Sequence, residues 1–137
     1  MKQSFNLHFG LGILFIIHFA ITGQLMKSNY FEVKDSDTLV RMMLRANHIY
    51  ILFAGLINLV LSFTFDNKKP NFLYLLASII LIFATISLNI SFYFDPKENI
   101  GNVGSDMGRI FTNYSVKGVL AGTALYLVIL LWQKIKK

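Results

Sequence analysis

Four stretches of this chain carry almost no charge, and the charged residues gather between them. From Phe5 to Met26, from Ala46 to Phe65 and from Asn71 to Phe94 there is no Asp, Glu, Lys or Arg, and from Ile110 to Gln133 the one exception is Lys117. A helix needs about 20 mainly apolar residues to cross the hydrocarbon core of a bilayer. The pattern therefore predicts an all-α fold, an integral membrane four-helix bundle, with spans about 5–26, 46–65, 71–94 and 110–133. No linker or repeat interrupts them, so residues 1–137 read as a single membrane domain. Runs such as "LYLLASIILIFATISL" lack the strict alternation of a barrel strand, which leaves helices as the way to satisfy the backbone in lipid.

Within the spans, the polar residues recur at helical spacing. In the second, Arg41, Arg45 and His48 fall at i, i+4 and i+7 and lead down towards Gly55, Asn58 and Ser62. The first carries His8, Gly12, His18 and Thr22 on one broad face, and the third carries Tyr74, Ser78, Thr85 and Asn89. In the fourth, Arg109, Asn113 and Lys117 follow at i, i+4 and i+8, above the small-residue pattern "GVLAG" from Gly118 to Gly122. Such faces are expected to turn towards other helices, with the glycines allowing a close approach within the bundle or between copies.

Composition sharpens this picture. Only 15% of residues are charged, against about 25% in a soluble domain, and 55% are hydrophobic. The first stretch is longer than the apolar part of a cleaved signal, which predicts a retained membrane anchor. With no cysteine there is no disulfide, thiolate site or cysteine nucleophile, and three histidines alone do not suggest a structural metal site. A net charge of +6 is ordinary for basic residues flanking spans, so nucleic acid is excluded as a partner. Membrane lipids are the expected partners, and a homo-oligomer or a larger membrane complex is compatible with the chain. No paired carboxylates or nucleophilic triad appears, so no catalytic residue is assigned. The spans hold no Asp or Glu, which argues against a proton-coupled transporter of the small-multidrug type.

Four spans place both termini and the middle connection on one side. Lys2, Lys68, Lys69, Lys134, Lys136 and Lys137 lie there, against Lys27, Lys34, Arg41, Arg45, Lys97, Arg109 and Lys117 on the other. The short "DNKKP" connection and the "KIKK" tail favour cytoplasmic termini, because the positive-inside bias acts through short segments beside span ends. Ser36 or Asp37 can cap a helix that runs into the second span. Pro96 and the following glycines are expected to break the chain before Ser105 or Asp106 caps the fourth helix, which would begin well before its membrane part.

Arg41, Arg45, His48, Arg109, Asn113 and Lys117 are accordingly the candidate ligand-binding residues. Converging at the outward mouth of the bundle, they would take an anion or a lipid headgroup through charge-assisted hydrogen bonds. The alternative is haem b. The first span, "LHFGLGILFIIHFAITGQLM", resembles the opening span of the cytochrome b561-type family, with a His near its start and a Gly and a Met near its end. His48, near the start of the second span, adds to that resemblance, which implies electron transfer through a haem ligated by His18 and His48. The third and fourth spans contain no histidine, unlike that family. The segment "RMMLRANHIYILFAGLINLVLS" also resembles an element of small, uncharacterised four-span bacterial inner-membrane proteins, carried by R-x-x-H-I-Y from Arg45 to Tyr50. That resemblance implies a bacterial inner membrane and no particular activity.

Overall fold

A computed structural model describes residues 2–28, 38–64, 72–98 and 108–135. They form four helices: α1 (Lys2–Lys27), α2 (Thr38–Thr64), α3 (Phe72–Glu98) and α4 (Ile110–Ile135). Each has 26 or 27 residues, about 40 Å at 1.5 Å per residue. Leu7–Lys27, Val40–Thr64, Phe72–Pro96 and Ile110–Trp132 are each long and apolar enough to span a membrane. The described chain is all-helical, as the charge gaps predict, and has the fold of a four-helix membrane protein.

Sequential helices pack antiparallel: α1 on α2, α2 on α3 and α3 on α4. Within the membrane-length windows, 39% of α2 and 44% of α3 is buried, against 17% of α1 and 28% of α4. The middle helices therefore form the centre and the outer two flank them. Phe15, Ala54, Leu81, Leu88, Val119 and Ile129 belong to one core cluster. Val40, Leu44, Ile51 and Phe92 form a second, towards the end where α2 and α4 begin. The outer faces expose Ile17, Phe53, Phe83, Val128 and other large apolar residues, which suits contact with lipid.

Glycines allow close contacts at two helix pairs. A Cβ on Gly12 would lie 2.7 Å from Leu59 Cγ, so α1 and α2 touch only because none is there. Gly122 plays the same part between α4 and α3, where a Cβ would meet Leu81 Cγ at 2.7 Å, and Gly118 lies against Ala84. The small-residue pattern of α4 is thus spent on packing inside one chain.

Two boundaries need comment. α3 continues through Pro96 to Glu98 instead of breaking there, with the proline in its last turn, where it removes one backbone donor and leaves the rest of the helix intact. α2 begins at Thr38 and runs unbroken into its membrane part. The expected caps at Ser36, Asp37, Ser105 and Asp106 lie outside the described residues.

Candidate functional site

Nearest the termini, Thr64 and the buried Tyr126 join α2 to α4 through their hydroxyls at 2.9 Å. Beyond that pair, three layers of polar side chains tie the helices together, and the first of them centres on His8, which is fully buried. Asn58 donates through Nδ2 to Ala54 O at 2.9 Å and to Thr85 Oγ1 at 3.2 Å, which orients its amide. Its Oδ1 is then left to accept from His8 Nδ1–H at 2.7 Å. In a neutral ring Nε2 must accept, and the Ser78 hydroxyl lies 2.7 Å away to donate. One imidazole thereby ties α1 to both α2 and α3.

The middle layer repeats this arrangement about three turns on. Asn89 donates to Thr85 O at 2.8 Å and accepts from His18 Nδ1–H at 2.8 Å, while Tyr93 OH donates to His18 Nε2 at 2.7 Å. His48 is different. Thr22 donates to the carbonyls of His18 and Phe19, both at 3.0 Å, so its oxygen accepts from His48 Nδ1–H at 2.9 Å. The imidazole stacks on Phe19, with centroids 4.0 Å apart and planes 15° from parallel. Among the described residues its Nε2 has no hydrogen-bond partner, and the ring is only partly buried. Gly23 lies beside this edge, where a Cβ would be 3.3 Å from Cε1 and 3.6 Å from Nε2.

The third layer joins the start of α4 to the other helices. Asp95 is fully buried near the end of α3. Its carboxylate accepts from Thr112 N at 2.9 Å, from Phe111 N at 3.3 Å and from the Thr112 hydroxyl. The carboxylate caps the free amides and complements the positive end of the α4 dipole. Asn47 donates to Ser91 O at 2.9 Å and its Oδ1 accepts from Arg109 Nη2 at 2.8 Å, while Thr112 Oγ1, whose proton goes to Asp95, lies 3.1 Å from the same oxygen. Arg109 Nε is buried without a partner among the described residues.

The six candidate ligand residues do not form one cluster. Arg41 and Arg45 are exposed on α2, Asn113 and Lys117 are exposed on α4, and only Arg109 and His48 reach the interior. The expected inward face of α4 is therefore corrected. Thr112, Ser115, Val119, Tyr126 and Ile129 are among its buried residues. Gly118 and Gly122 lie on that side too, because the closest α3–α4 approach needs small residues and cannot take a lysine. Lys117 instead stands with Nζ 6.0 Å from the Tyr114 ring centroid. Helical side chains lean towards the N-terminus, so this one extends towards the end carrying the arginines.

Asp95, Asn47, Thr112 and Tyr93 are the polar partners that the sequence reading left out. Asp95 stands immediately before a proline, which made it look like loop, yet it lies in the membrane-length helix. A signal was present: Asp95 continues the row Ala77, Leu81, Ala84 and Leu88 along the face of α3 turned to α4. The membrane-length part of α3 thus does hold a carboxylate, contrary to the expectation of spans without Asp or Glu, and this one caps a helix and holds Thr112.

His18 and His48 belong to the same layer, since Thr22 joins them one turn apart. Haem ligation would need one nitrogen from each. His48 has Nε2 to offer, whereas His18 would have to release Asn89 or Tyr93. The described residues contain no group of three or more His, Cys, Asp or Glu placed to hold a metal ion. No protein-family profile, curated protein or solved structure matches the chain. Its class rests on the fold: a small four-helix protein with the dimensions and apolar surface of a membrane protein.

Proposed function

We propose that this is a non-enzymatic protein of the bacterial inner membrane, with both termini cytoplasmic, whose outward end holds an anionic lipid headgroup. The observation that carries the reading is the exposure of Arg41, Arg45 and Lys117 at the end where α2 and α4 begin. Their stems can lie along apolar surface while the charges reach the headgroup level. Each such cation contributes about 1 kcal/mol of attraction to an anionic membrane surface. Arg109 and Asn47 stiffen the same end from inside. A homo-oligomer or a larger complex could use the same end without changing this chemistry.

The test is thermal unfolding in mild detergent with added phosphatidylglycerol or phosphatidylcholine. The anionic lipid should raise the midpoint more, and Arg45→Gln or Lys117→Gln should reduce that difference. Equal responses to the two lipids would sink the reading.

Haem b electron transfer is the second reading, favoured by His48 Nε2, which is unpaired among the described residues. Protein purified from haem-replete cells would then show a stoichiometric Soret band, lost in His18→Ala and His48→Ala. A colourless preparation would remove this reading.

A further inference from the structure

Of the three histidines, two are fully engaged. His8 and His18 each donate through Nδ1 to an asparagine oxygen and accept a hydroxyl at Nε2. His48 donates through Nδ1 to Thr22, and its Nε2 lone pair is unpaired among the described residues. The ring is only partly buried, so this acceptor is reachable from outside the bundle. In a membrane such an acceptor has little water to satisfy it, and leaving it unmatched is costly.

Its neighbours restrict what can match it. Gly23 carries no side chain over the Cε1–Nε2 edge, and Phe19 covers one face of the ring. Arg45 is three residues earlier on α2, on the same side of the helix and about 4.5 Å higher along the axis. It is exposed, as is Lys27, which stands four residues after Gly23 in the last turn of α1. A donor-seeking nitrogen thus lies just below two cations, in a notch between α1 and α2.

We infer that this notch binds a hydroxyl-bearing anionic lipid headgroup of the phosphoglycerol kind. The phosphodiester lies against Arg45 and Lys27, and a headgroup hydroxyl donates to His48 Nε2. This rests on the headgroup reading above and deepens it. The cations select for negative charge, and the histidine selects among anionic lipids for one that can donate. A phosphodiester without a hydroxyl satisfies Arg45 and leaves His48 unmatched.

Two synthetic lipids separate these contributions: dioleoylphosphatidylglycerol and dioleoylphosphatidylmethanol. Both are singly charged diesters, and only the first has headgroup hydroxyls. Lipid titrations of the full-length protein in detergent, read by thermal midpoint, should show about fivefold tighter apparent binding of phosphatidylglycerol, as one hydrogen bond provides. His48→Leu should abolish that preference while keeping the response to both lipids over phosphatidylcholine. Gly23→Ala should do the same by placing a methyl against the ring edge, and it serves if the leucine variant does not fold. Arg45→Gln should weaken both lipids alike. Equal binding of the two anionic lipids, or a preference surviving both His48→Leu and Gly23→Ala, overturns this inference and leaves the headgroup reading standing. Loss of any advantage over phosphatidylcholine in the wild type overturns both.

Discussion

His8 and His48 are the same residue type on adjacent, tightly packed helices, yet they do opposite things. His8 has no exposed surface, and its two nitrogens are held by residues of α2 and α3. His48 is partly exposed, with one nitrogen held by α1 and the other unpaired among the described residues. The difference lies in how many helices surround each ring. His8 faces the centre of the bundle, where Asn58 and Ser78 meet. His48 lies at the α1–α2 seam, where Gly23 leaves its edge open. An imidazole enclosed by three helices fastens them together, whereas one at a two-helix seam keeps a nitrogen for something else.

His8→Leu should break this contrast most strongly. It strands Asn58 Oδ1 and Ser78 Oγ in a dry interior, at about 2–3 kcal/mol of stability. His48→Leu should cost less than about 1 kcal/mol, because Thr22 retains its bonds to its own helix. Reversible unfolding in mixed micelles measures both, and equal losses would show that His48 is as structural as His8.

Asp95→Ala comes next. It removes the cap from Phe111 N and Thr112 N and should cost about 1–2 kcal/mol by the same assay. Hydrogen exchange should rise at the first turn of α4 and stay unchanged around His8. A spread of exchange through the whole bundle would mean that the two ends are not independent.

Tyr93→Phe is expected to cost about 0.6 kcal/mol, a typical interhelical hydrogen bond in a membrane protein. It leaves His18 with one unpaired nitrogen and so makes it resemble His48. The variant is expected to gain no lipid preference from the freed nitrogen of this partly buried ring, which titration with phosphatidylglycerol and phosphatidylmethanol would check. Arg45→Gln closes the series, with a stability change within about 0.5 kcal/mol in detergent alone. A larger loss would mean that Arg45 braces the fold instead of facing lipid.

Much of the architecture was legible in the chain because charge is expensive inside a bilayer. The charge-free stretches located all four helices, and the polar stripes of α1 and α3 reached the interior as read. His8, Thr22, Ser78, Thr85 and Asn89 are all buried. On α4 the same reasoning chose the wrong side. Arg109, Asn113 and Lys117 form a conspicuous row, but close packing against Ala84 and Leu81 turned the glycines inward and left Asn113 and Lys117 outside.

The sequence by itself determined that there are four membrane-length helices, where the basic residues gather and which polar residues share a helical face. Tertiary structure alone decided which face looks inward, that Asp95 caps a neighbouring helix, and that one histidine keeps a nitrogen unpaired among the described residues. The reason is physical. Lipid tails are as apolar as a protein core, so hydrophobicity cannot tell a helix which side to bury. That choice falls to the closeness of small residues and to the pairing of polar groups across helices, and both depend on which residues of different helices come to the same depth.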